Sequence, residues 1–238
     1  MPPSGGHRSR TATTAEARGG PGLVLALKAV VGGKQRLAGV LSHPERRLVA
    51  QAMAARCLRC AMATWPADRV VVVGAGEEIA RLAARHRVGT VLADRGAGQS
   101  AAVALGAGWV AAQGFTCLVT VAGDLPEVEV ADLAWLRELA EGLAGPGVVA
   151  VPDAGGTGTN ALVVSPPTAD VLAFGPDSLR RHRQRAGLLG LPFRCQPRAR
   201  IARDCDRPED LAALLVQEGA AALRRPPSGP ARPGPGPI

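Results

Sequence analysis

Short runs of Val, Leu and Ala alternate along the chain with longer stretches in which apolar residues recur every three or four positions. The first kind reads as buried strand and the second as helix packed on a sheet. This pattern predicts strands at 22–29 (GLVLALKA), 69–73 (RVVVV), 90–94 (TVLAD), 117–124 (CLVTVAGD), 147–153 (GVVAVPD), 159–165 (TNALVVS) and 193–197 (FRCQP). It predicts helices at about 44–64, 77–86, 99–112, 129–142, 178–188 and 208–222. Near-continuous apolar strands separated by helices indicate an α/β fold, with a mostly parallel sheet covered on both faces. In such sheets ligands gather beyond the carboxyl ends of the strands, near the point where strand order reverses. The loops that follow strands are therefore where chemistry is to be sought.

Composition sharpens this picture. The chain has 238 residues, 47% of them hydrophobic, which suits one domain with a substantial core. Residues 1–21 and 224–238 are rich in Gly, Pro, Ser or Thr and cannot bury a core, so they read as disordered tails around a domain at 22–223. The net charge of +8 lies mostly in those tails, which carry +2 and +3. With three Trp, three Phe and no Tyr there is little for bases to stack on, so a nucleic-acid partner is not expected. No apolar run approaches the ~20 residues of a membrane span, and the N-terminal stretch lacks the apolar segment of a secretory signal. The expected setting is cytoplasmic. Five Cys, an odd number, imply reduced thiols, and Cys57-x-x-Cys60 inside a helical pattern reads as same-face packing.

Four loops carry candidate chemistry. "LKAVVGGKQRLAG" follows the first strand and holds both lysines of a chain that has 26 arginines, Lys28 and Lys34, with Arg36 close behind. Compact ammonium groups beside glycine backbone suit a phosphate chain, although an ordinary solvated loop has the same composition. It is not a Walker A loop, since Gln35 stands where Ser or Thr belongs. "VVVGAGEEIA" imitates a dinucleotide fingerprint at Gly74 and Gly76, with Asp94 at nearly the right distance. Its third glycine position holds Ile79, however, and Glu77 and Glu78 open the helix, where they would repel a pyrophosphate. "GDLP" places Asp124 at the end of a buried strand, either as a Mg²⁺ ligand or as a turn residue satisfying backbone N–H groups. In the C-terminal third, "DAGGTGTNAL" and "FGPDSLRRHR" offer glycines, hydroxyls and a helix start for a phosphate or carboxylate, and "RDCDRPEDL" supplies Asp204 and Asp206. His182 alone reads as a surface or packing residue.

Taken in order, "LALKAVVGGKQRLA", "GDLP", "GTGTNAL", "FGPDSLRRH" and "RDCDRPEDL" resemble the phosphoenolpyruvate or 2-phospho-L-lactate guanylyltransferases of deazaflavin coenzyme F(420) synthesis, over about residues 22–215. The resemblance implies a nucleotidyltransferase-type fold that uses GTP and Mg²⁺. It implies that Asp124, with Asp204 or Asp206, holds the metal, and that Thr159, Gly175 and Ser178 hold the phosphorylated acid. Lys28, Lys34 and Arg36 would then face the triphosphate as catalytic groups. Because the nucleotidylated product would be labile, handover to the next transferase of the pathway is a further expectation, one that no residue here carries. Gln99 and Ser100 stand where the family usually has Leu-Asn, and Arg207 stands where it usually has Thr. The Arg-, Ala- and Gly-rich composition tilts the acid toward phosphoenolpyruvate, with 2-phospho-L-lactate and 3-phosphoglycerate as alternatives. A Rossmann-type NAD(P) oxidoreductase, a molybdenum-cofactor nucleotidyltransferase and a non-catalytic paralogue are the competing readings.

Overall fold

The computed structural model describes residues 18–27 and 35–211. Seven strands form one sheet: β1 (Pro21–Ala26), β2 (Val70–Gly74), β3 (Thr90–Ala93), β4 (Cys117–Val121), β5 (Gly147–Pro152), β6 (Thr159–Ser165) and β7 (Phe193–Cys195). Among the described residues the complete α-helices that accompany them are α1 (His43–Thr64), α2 (Glu77–Arg85), α3 (Gln99–Ala112), α4 (Val130–Glu141), α5 (Ser178–Leu188) and the short α6 (Ala199–Ala202). The α/β architecture is as the hydrophobic pattern predicts, and only α6 has no predicted counterpart. Of the helix predicted at 208–222, residues 208–211 are helical and the rest lies outside the described residues.

The strand order is β3-β2-β1-β4-β6-β5-β7. β1 pairs in parallel with β2 and β4, β2 with β3, and β5 with β7. β6 runs antiparallel to both β4 and β5. Because strand side chains alternate between faces, the central strands feed two cores. Leu23, Leu25, Val70, Val72, Val119 and Val163 pack with α1, α2 and α4 on one side. Val24, Val71, Leu118, Leu162 and Val164 pack with α3 and α5 on the other. α3 approaches closely because Gly106 lies over Val24, where a Cβ would stand 2.4 Å from a Val24 methyl. Among the described residues no helix is long and apolar enough to cross a membrane.

The chain runs from β1 outward through β2 and β3, then returns to the other side of β1 as β4. The order therefore reverses between β1 and β4, and the crevice beyond their carboxyl ends is the expected ligand position. β6 starts at that same edge, since its antiparallel register sets Ala161 opposite Val121 at the end of β4.

Candidate active site

The turn after β4 is built by its neighbours. β4 ends at Val121, so Asp124 lies three residues beyond the strand, not on its last position as the apolar run predicted. The pairing continues once more, through the Ala122 N–H to the Asn160 carbonyl at 2.7 Å, and the chain then turns. Gly123 permits the turn to pass the end of β1, because a Cβ there would stand 2.4 Å from Leu27 Cδ2. From beneath, α1 fixes the loop. The Cys57 thiol reaches the Ala122 carbonyl at 3.7 Å, the Cys60 thiol reaches the Val128 carbonyl at 3.6 Å, and Arg56 Nε donates to the same Val128 oxygen at 2.9 Å. Burial pushes the Cys57 thiol up to about 12, and the neighbouring Cys60 and Asp124 charges add to this. Both cysteines are unbridged packing residues under the turn, as their helical spacing implied.

The late acids reach the same place along a strap of ion pairs. Asp132, in the first turn of α4, is fully buried and accepts from Arg198 Nε at 2.7 Å and from the Glu129 N–H at 3.0 Å. Arg200 pairs with Glu129 at 3.2 Å, and Arg203 pairs with Glu127 at 3.0 Å. Three arginines before "DCD" thus match three acids after "GDLP". The segment they hold passes over the turn, where the Cys205 N–H donates to the Asp124 carbonyl at 3.3 Å. Asp124 and Asp206 are both partly exposed, and the Asp206 carboxylate lies 3.7 Å from Arg36 Nη1. Asp210 accepts from the N–H groups of Asp206 and Arg207 at 3.0 and 2.7 Å, closing the next helical turn. Among the described residues no three His, Cys, Asp or Glu side chains form a group able to hold a metal ion by themselves. Hard carboxylates on two joined segments still suit Mg²⁺, which takes one or two carboxylates and completes its shell with water and substrate phosphates.

The third component is the start of β6 together with the start of α5. Asp153 organises the glycine-rich loop before β6, accepting from the Thr157 N–H at 2.9 Å. The Thr157 carbonyl in turn accepts from the Leu179 N–H at 3.0 Å, which docks α5 on that loop. Gly175, at φ +115°, and Asp177, at φ +53°, make the unusual backbone that leads into Ser178. Behind them Thr159 and Ser178 are nearly buried, and His182 is completely so. Thr159 Oγ1 and His182 Nδ1 are 3.1 Å apart, and the Phe174 ring meets the imidazole edge-on at 4.8 Å. Burial lowers the His182 pKa to about 4, and the positive charges of Arg181 and Arg185 contribute. Asn160 Nδ2 donates to the Ile201 and Ala202 carbonyls at 2.9 and 3.2 Å, joining this corner to the strap that carries Asp204 and Asp206.

The fold therefore brings Thr159, Gly175 and Ser178 together, and places Asp124, Asp204, Asp206 and Arg36 along the same sheet edge. Lys28 and Lys34 lie outside the described residues. His182 is the residue that sequence reasoning undervalued. Its available signal was its spacing four residues after Ser178, which puts both on one face of α5. The arginine strap was the other omission. The glutamates at the start of α2 are engaged elsewhere, with Arg47 3.2 Å from Glu78.

The sheet is mostly parallel with β6 antiparallel, its candidate loops lie at the switch point, and its solved structural neighbours place the fold in the nucleotidyltransferase class. The antiparallel β6 separates it from the wholly parallel 3-2-1-4-5-6 order of dinucleotide-binding sheets. A nucleotidyl transferase from Methanothermobacter thermautotroptrophicus superposes with a TM-score of 0.59 at 18% identity, covering 86% of this chain and 99% of that one. The profile of the family described as "Guanylyl transferase CofC like" matches residues 22–223. A phosphoenolpyruvate guanylyltransferase from Conexibacter woesei is 35% identical over 206 residues, covering 85% of this chain and 92% of that protein. A 3-phospho-D-glycerate guanylyltransferase from Phenylobacterium zucineum is 32% identical over 206 residues, covering 84% and 91%. The chain belongs to the CofC-like guanylyl transferase family.

Proposed function

We propose that this chain transfers GMP from GTP to the phosphate of a small phosphorylated acid, phosphoenolpyruvate in preference to 2-phospho-L-lactate or 3-phosphoglycerate, in deazaflavin coenzyme F(420) synthesis. An oxygen of the acid's phosphate attacks the α-phosphorus of GTP in line. The bond from that phosphorus to the bridging oxygen breaks, and pyrophosphate leaves with the electron pair. The observation that carries this reading is the joining of three loops at one sheet edge: the Asp124 turn, the Asp204–Asp206 strap, and the Thr159–Ser178 corner.

The protein's part is positioning and charge neutralisation. Thr159, Ser178 and the backbone around Gly175 hold the acid. Arg36, with Lys28 and Lys34, faces the triphosphate. Asp124, with Asp204 or Asp206, would hold Mg²⁺, which when bound would offset charge on the transferring phosphates. The product is a phosphoanhydride, so direct use by a following cytoplasmic transferase belongs to the same reading.

The test is pyrophosphate release from GTP and Mg²⁺ with each of the three acids. Release with phosphoenolpyruvate and GTP is expected. Release with ATP or CTP in place of GTP would overturn the donor assignment, and release with 3-phosphoglycerate alone would reassign the acid. Silence with every acid from folded protein would favour a non-catalytic paralogue.

A further inference from the structure

The buried imidazole of His182 presents a question of bonding that its packing does not answer. Its Nδ1 has one partner, Thr159 Oγ1 at 3.1 Å. Its Nε2 is buried and has no hydrogen-bond partner among the described residues. A neutral imidazole carries one proton, so one nitrogen donates and the other accepts. If the proton were on Nε2, an N–H would be buried with no acceptor, which is rarer and costlier than a bare acceptor left unmatched. With the proton on Nδ1 the unmatched donor becomes instead the Thr159 hydroxyl, whose O–H can rotate and whose residue keeps 6% of its surface exposed where His182 keeps none, so the proton belongs on Nδ1.

We propose that His182 is a positioning residue for the acid site: its Nδ1–H donates to Thr159 Oγ1, leaving the Thr159 proton to donate to an anionic oxygen of the bound phosphorylated acid. Thr159 Oγ1 has no other hydrogen-bond partner among the described residues, so its own proton is uncommitted until a ligand arrives. The opposite arrangement, with Thr159 donating to Nδ1, would present only hydroxyl lone pairs to an anion. Burial supports the neutral state by holding the imidazole pKa near 4. The charged groups that bear on the ring are Arg181 and Arg185 on its own helix, while Thr159 and Phe174, from the elements packed against it, are uncharged. Phe174 and the helix fix the ring plane, and Ser178 stands one turn away on the same face. The inference rests on the guanylyltransferase reading for the identity of the anion, but not for the tautomer.

Two measurements test it. In the full chain labelled with ¹⁵N-histidine, nitrogen–proton correlation spectra report which ring nitrogen is protonated, and His182→Asn assigns the signal among the four histidines. A protonated Nδ1 and bare Nε2 are expected; a protonated Nε2 would overturn the inference. In the pyrophosphate assay His182→Phe keeps the ring volume but removes the donor, and should raise the acid KM about 10-fold or more with the GTP KM unchanged. His182→Asn, whose amide can donate from the Nδ1 position, should recover most of that loss. Combined with Thr159→Val, His182→Phe should add almost nothing, because the hydroxyl it sets is gone. Independent, multiplying effects of the two changes would contradict the proposal. Should wild-type protein release no pyrophosphate, the enzyme reading fails and the nitrogen spectrum still decides the tautomer.

Discussion

At the acid-bearing end of the sheet edge, the Asp206 side chain keeps 41% of its surface exposed and leans on an arginine that is itself 69% exposed. Beside it on the same edge, His182 has no exposed surface and, among the described residues, a neutral threonine as its one hydrogen-bond partner. The first region is charged, wet and held from outside by arginines; the second is neutral, dry and held by packing. On the proposed function, that difference follows from what each region would bind. A cation and a triphosphate bring their own water and charge, and groups that meet them must stay ionised and accessible. A small acid is recognised by shape and by a few placed hydrogen bonds, which gain strength in a dry corner. Loss of one residue should therefore hurt rate at the first region and affinity or stability at the second.

The largest expected effect is on rate. Asp124→Asn removes a carboxylate from the turn without changing its size, and should slow pyrophosphate release by about 10²–10⁴ in protein that still folds. Near-normal turnover would remove Asp124 from the site. The next effect is on the device that holds the wet region in place. Arg198→Ala removes the shortest ion pair of the fully buried Asp132, leaving it Arg200 at 4.0 Å and the Glu129 N–H, and should cost about 1.5–3 kcal/mol in denaturant unfolding. If the loss were under ~1 kcal/mol, the strap would be decoration and the joining of the acids would need another cause.

The dry region makes a prediction about pH. His182 has a folded pKa of about 4, below the usual 6.5, so the unfolded chain takes up the proton first as pH falls. Stability from the neutral ring is then complete above about pH 6.5, declines through the window down to about 4, and falls no further from this group below it. The whole decline amounts to at most about 3 kcal/mol, and a His182→Asn chain should lack it. Comparing the two proteins by denaturant unfolding from pH 7 to 4 isolates it, since the carboxylates contribute to both. Parallel curves would show that the ring is not held neutral. The smallest effect is a control outside both regions: Arg81→Ala breaks an exposed pair with Glu77 and should change stability by under about 0.5 kcal/mol.

The strands were legible because each is an apolar run of the right length, and the loops that follow them inherit their position from the sheet. Asp124, Thr159, Gly175 and Ser178 were singled out by motif order, which names candidate residues but does not say how they meet. The end of β4 was misplaced by three residues because Ala122 and Gly123 continue the apolar pattern, while close approach to Leu27 ends the pairing. α6 escaped notice because its four residues, ARIA, are too few to show a period. The strap was invisible for a related reason: Arg198, Arg200 and Arg203 mean little until Glu127, Glu129 and Asp132 are seen opposite. His182 looked ordinary because burial and its bond to Thr159 are properties of two segments 23 positions apart.

The central claim is that these two unlike regions serve one reaction, and pyrophosphate release from GTP tests it most directly. With Mg²⁺ and folded wild-type protein, release should require both GTP and phosphoenolpyruvate and should vanish when either is omitted. Release from GTP alone at the same rate, or none with any phosphorylated acid, would contradict the account.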